Sequence, residues 1–131
     1  MSADNIVKNA LADVPKSVAA GVVDMGSGLL LAVKTVESHP QSVIDLLASA
    51  TKDLFEGDSV LTIEQLFKKA RGVTNNDRYF QEVLVSSTNL WHYFGRLKST
   101  PSVVMVVVCR GDVNLGAMLV KCRQICSGST I

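Results

Sequence analysis

Reactive side chains are scarce in this chain. Its 131 residues include two histidines, three cysteines and one tryptophan, and aromatic residues make up 5% of the whole. Three cysteines are an odd number and too few for a disulfide framework. Cys122 and Cys126 stand one helical turn apart, where reduced thiols packed in a core are the simplest reading. A tetrahedral metal site would need further ligands near them, and His39 and His92 are remote in sequence. There is no Gly-x-Ser-x-Gly motif, so a catalytic triad has no home, and neither enzyme activity, metal nor cofactor is expected. Charge of one sign is missing too. With 13 basic against 12 acidic residues the formal charge is +1, which leaves no global field to hold a polyanion, so nucleic acid is not an expected partner. The run of seven apolar residues from Val103 to Cys109 is far shorter than the roughly 20 needed to span a bilayer. The stretch from Met1 to Pro15 has early acidic residues and no continuous apolar core, unlike a secretory signal. No membrane association and a cytoplasmic location are expected.

What is present is an ordinary globular composition, 47% apolar and 19% charged, sufficient for one domain over 1–131. From Asn5 to Val14, Ile6, Val7, Ala10 and Leu11 recur at helical spacing, and Pro15 ends the pattern. Ser17–Asp24 and Leu29–Val36 flank Met25-Gly26-Ser27-Gly28 and predict a β-hairpin. Ser38 and Gln41 form a capping box around Pro40, opening a long helix that runs to about Glu56. On it Val43, Leu47, Ala50 and Leu54 make one stripe and Ile44, Ala48, Thr51 and Phe55 the next. Together they are wider than the roughly 100° arc that packing on a single sheet requires, so the excess is a candidate partner surface. A second capping box, Thr62 to Gln65, predicts a short helix carrying Ile63, Leu66, Phe67 and Ala70 and ended by Gly72. Strands are expected at Tyr79–Ser87, Leu90–Leu97 and from Val103, followed by a helix in which Leu115, Leu119, Cys122 and Cys126 recur, with Asp112 as a cap and Asn114 as a turn or cap residue.

Motifs that carry chemistry elsewhere have plainer readings here. Gly26-Ser27-Gly28 begins like a dinucleotide fingerprint, but Leu31 stands where the third glycine belongs and a strand follows. The stretch from Gly111 to Gly116 lacks the Gly-Lys-Ser/Thr ending of a phosphate loop. Asp24, Asp45, Asp53 and Glu82 are scattered. Lys68, Lys69, Arg71 and Arg78 form a basic cluster best read as a solvated helix end. Trp91, Tyr93 and Phe94 suit either an interface or core packing of alternate strand residues.

The hairpin "AAGVVDMGSGLLLA" and the closing "VVVCRGDVNLGAMLVKCRQI", placed in this order around a long apolar helix, resemble the Roadblock/dynein light-chain family from Asn5 to about Ser127. The resemblance implies an α/β (α+β) fold: a five-stranded antiparallel sheet between a long central helix and two terminal helices, here with one extra short helix. It also implies a homodimer that binds and regulates or scaffolds a small Ras-like GTPase. In such a dimer the long helices pair and the middle strands join edge to edge. By element, that places the interface at Val43, Ile44, Asp45, Leu47, Ser49, Lys52 and Asp53 on the helix and Tyr79, Gln81 and Val83 on the strand. The competing readings are a nucleotide-independent structural adaptor and a small-molecule sensor of profilin-like or PAS-like architecture, the latter needing polar groups such as His92 and Arg96 to converge on a pocket.

Overall fold

The computed structural model describes residues 2–36, 41–75 and 77–131, with the side chains of 41–46 outside the description. The expected capping box at Ser38 and Pro40 therefore lies outside the described residues. The elements run α1 (Ala3–Asp13), β1 (Ser17–Asp24), β2 (Leu29–Thr35), α2 (Gln41–Glu56), α3 (Asp58–Arg71), β3 (Glu82–Ser86), β4 (Leu90–Arg96), β5 (Val103–Arg110) and α4 (Leu115–Gly128). The strands form one antiparallel sheet in the order β2-β1-β5-β4-β3. The β-branched run Val103–Val108 occupies the middle strand and is buried on both faces, the environment such a run requires.

Strand alternation divides the apolar side chains into two cores. Val22, Tyr93, Met105 and Val107 face α1 and α4, where they meet Ile6, Ala10, Met118, Cys122 and Cys126. Val23, Phe94, Val104 and Val106 face α2 and meet Ala48 and Phe55. Tyr93 and Phe94 thus serve opposite faces, which settles the aromatic cluster as core packing, with Trp91 half-buried beside the first core.

Several boundaries differ from the sequence expectation, and four of them have a hydrogen-bonding reason. The first helix starts at Ala3, two residues early, since the Ser2 hydroxyl accepts the Asn5 amide as its cap. The extra helix is not short and is not capped by Thr62. It begins at Asp58 after the sharp turn at Gly57, and the Thr62 hydroxyl donates to the Asp58 carbonyl inside the helix. The third strand is Glu82–Ser86 rather than Tyr79–Ser87, because Glu64 on α3 captures the Tyr79 amide and leaves only residues from Gln81 onward to pair with β4. The last helix is capped by Asn114, whose side chain accepts the Ala117 amide, while Asp112 turns instead to Lys16 at 2.5 Å.

Candidate functional site

The proposed interface residues fall on the α2 side and at the β3 edge, with different degrees of exposure. Ala48, Thr51 and Phe55 point into the sheet, so Ser49, Ala50 and Asp53 point away from it and are exposed. Leu47 and Lys52 are half-buried, and Leu47 packs against the second core. The side chains of Val43, Ile44 and Asp45 lie outside the described residues. Val83 is half-buried against the same core, Tyr79 is half-buried and Gln81 is exposed. Gln81 still joins the sheet, since its carbonyl accepts the Arg96 amide. β3 has no strand on its outer side among the described residues. Its pairing with β4 puts the N–H and C=O groups of Glu82, Leu84 and Ser86 outward, the alternate set to those that bond β4.

The helix α3 is amphipathic in the inverse sense. Glu64 and Lys68 are buried at 1% and 6% exposure, while Ile63, Leu66 and Phe67 are 44%, 63% and 48% exposed. Glu64 receives the Tyr79 amide at 3.0 Å and the Arg78 guanidinium at 2.9 Å, with the Lys68 ammonium 3.6 Å away. Burial pushes the Glu64 carboxyl up, but the Tyr79 amide and the Arg78 and Lys68 charges outweigh it, leaving its pKa below the usual value. Lys68 also donates to the Asn75 carbonyl. The basic cluster read as a solvated helix end is therefore in part an internal clamp: Lys68 and Arg78 hold the segment after α3 against Glu64. Phe67 stays at the surface, its ring 5.5 Å from that of Tyr79.

A second buried charge sits at the end of β4. Arg96 is 4% exposed and lies over the Phe55 ring. It donates from Nε to the Phe80 carbonyl and from Nη1 to the Pro101 carbonyl and Glu56. Arg96 also lines a cleft, whereas His92 does not; His92 is half-buried 3.3 Å from the Ser87 hydroxyl. On the opposite face of the sheet, Glu82 binds the Arg123 guanidinium and accepts the Tyr93 hydroxyl at 2.8 Å. The Arg123 contact holds its carboxyl below the usual range against the opposing pull of burial. Neither Glu64 nor Glu56 carries a sequence signal, because a helical glutamate beside apolar residues normally marks the solvated face.

Burial raises the Cys109 and Cys126 thiols to about 11 and raises Cys122 as well, so all three are protonated packing groups. Among the described residues no group of three or more His, Cys, Asp or Glu is placed to hold a metal, and no helix is long and apolar enough to cross a membrane.

A five-stranded antiparallel sheet with two terminal helices on one face and a long helix on the other defines a three-layer α/β architecture. It is the Roadblock/LC7 fold. The chain matches a Roadblock/LC7 domain from Streptomyces avermitilis with a TM-score of 0.65 and 14% identity, over 96% of this chain and 92% of that one. It matches MglB in a tetrameric arrangement at TM-score 0.63 and 16% identity, over 94% and 81% of the two chains. Myxococcus xanthus MglB matches at 0.61 and 19% identity, over 95% and 85%. No sequence family model and no curated protein matches the chain.

Proposed function

We propose that this protein is a non-catalytic, dimeric adaptor that binds a small Ras-like GTPase, the role the Roadblock resemblance implies, with residues 1–131 acting as one cytoplasmic domain. The observation that carries the reading is the fold likeness to Roadblock/LC7 and MglB structures, which extends over nearly the whole chain. The surface supports it. A β3 edge with no partner strand among the described residues invites a second copy, since joining two such edges satisfies the outward groups of Glu82, Leu84 and Ser86. The exposed positions Ser49, Ala50 and Asp53 of α2, with Val43, Ile44, Asp45, Leu47 and Lys52 on the same helix, are proposed to pair with the partner copy and to form the polar rim that meets the GTPase. Tyr79, Gln81 and Val83 extend that surface along β3. The apolar face of α3 adds Ile63, Leu66 and Phe67, which no other part of the described chain covers sufficiently to bury.

A GTPase regulator acts by differential affinity for the two nucleotide states of its partner. Affinity capture from native lysate on the immobilised protein, in parallel with GDP and a non-hydrolysable GTP analogue, tests this. Recovery of a small GTPase preferentially with one nucleotide is expected. Recovery indifferent to nucleotide would make the protein a structural adaptor, and capture of no GTPase in either arm would overturn the proposal.

A further inference from the structure

The helix α3 leaves the end of α2 at Gly57 and is tied down on its charged side. Glu64 accepts the Tyr79 amide at 3.0 Å and the Arg78 guanidinium at 2.9 Å, and Lys68 donates to the Asn75 carbonyl at 3.0 Å. Those contacts fix the rotation of the helix about its axis. At about 100° per residue they turn Ile63, Leu66, Phe67 and Ala70 to one side as a stripe at i, i+3, i+4 and i+7, where all four are exposed. The stripe begins beside the sheet edge. The Phe67 ring is 5.5 Å from that of Tyr79, which stands three residues before β3, and Phe80 between them and the strand is 39% exposed. Burying a glutamate and a lysine while leaving isoleucine, leucine and phenylalanine in water is unfavourable for a lone chain, and a contiguous apolar patch of this kind marks a contact surface.

We propose that the α3 stripe is covered by a second copy of this chain, packed on the end of that copy's β3 and its β3–β4 turn, a placement that rests on the dimeric reading above. Antiparallel joining of two β3 edges sets the Glu82 end of one copy beside the Ser86 end of the other. The outward groups of Glu82, Leu84 and Ser86 pair most fully when the two Leu84 residues face each other, and that register also keeps the two Glu82 carboxylates apart. Continuing it places Tyr79, with α3 behind it, beside residues 87–89 of the second copy. That turn is uncharged, and Val85 just before it is 37% exposed. A stable dimer hides about 800 Å² on each partner, and the edge of a five-residue strand supplies only part of that. The described α2 positions that point away from the sheet, Ser49, Ala50 and Asp53, are small or charged. The apolar area that completes the contact is therefore the stripe on α3.

The test is the dimerisation constant of the full chain by sedimentation equilibrium, for the wild type, Ile63→Gln, Leu66→Gln, Lys69→Gln and Ser86→Pro. Ile63 and Leu66 are exposed and take no part in the Glu64 contacts, so glutamine there leaves the fold in place, as circular dichroism checks. Lys69 is exposed on the polar side of the helix and serves as the control. The dimer makes the contact twice, so Ile63→Gln and Leu66→Gln should each weaken it by about tenfold to hundredfold, and Lys69→Gln by less than about twofold. Amide exchange at residues 87–89 should slow as the wild type dimerises, and Leu66→Gln should reverse that protection. A wild-type dimer that Ser86→Pro dissociates and that both glutamine variants leave unchanged would assign the stripe to a different protein or surface, overturning the proposal while the β3 dimer stands. A wild-type chain that stays monomeric would overturn the dimeric reading itself, and this proposal with it.

Discussion

Single residues carry consequences out of proportion to their size where another group lies within contact distance. A Cβ built on Gly95 would stand 2.5 Å from the Tyr93 hydroxyl and 2.7 Å from its ring, because that ring folds back along its own strand to reach Glu82. Gly95→Ala is therefore expected to destabilise the fold by about 1–3 kcal/mol through overpacking, measured by denaturant unfolding. Glu64 holds the segment after α3 through one amide and two cations. Glu64→Gln should lower stability by about 2–3 kcal/mol and speed hydrogen exchange at the Tyr79 amide. The thiols make a third case. Cys109 and Cys126 are buried at 0% and 3% exposure with thiols raised to about 11, so alkylation of the native protein at pH 8 should run at least about 100-fold slower than in denaturant, at a rate set by opening of the fold.

Among elements, β3 and α3 carry the surfaces proposed to meet other molecules. Ser86 is exposed, and its N–H points away from β4, so proline there removes an outward donor and leaves the β4 ladder intact. If the copies join along β3, Ser86→Pro should convert a dimer to a monomer in light scattering with no loss of far-ultraviolet circular dichroism. Leu47 is a poor probe of the helix surface because it packs on the second core, whereas Ala50 is exposed and reports on pairing without disturbing that core. In α3 the periodic apolar pattern identifies a helix correctly but not which side it buries. Periodicity marks one face as distinct from the other; which one turns inward is set by what stands opposite, here Arg78 and the Tyr79 amide facing Glu64.

For the molecule as a whole, the depressed carboxyls of Glu64 and Glu82 set the acid limb of stability. Both bind protons more weakly folded than unfolded, so they contribute stability above the ordinary value of 4.5, and that contribution is lost as pH falls through their lowered pKa values. The thermal midpoint should therefore drop below about pH 4.5, and the fall should be shallower in a variant with glutamine at both positions.

The hairpin, the buried middle strand, the closing helix and the element order were legible in the sequence because each rests on a local period or a turn residue. The β-branched residues of Val103–Val108 suit a strand covered on both faces, and their spacing puts Cys122 and Cys126 on one face of their helix, the face the fold buries. The start of β3, the turning of Asp112 from the helix end to Lys16, the inverted face of α3 and the enclosed guanidinium of Arg96 were decided only by tertiary structure. Each depends on a partner distant in the chain: Glu64 for Tyr79, Lys16 for Asp112, Arg78 for Glu64, and Glu56, Phe80 and Pro101 for Arg96. Local patterns state which residues want burial or a partner, and the packed fold alone determines which partner is within reach.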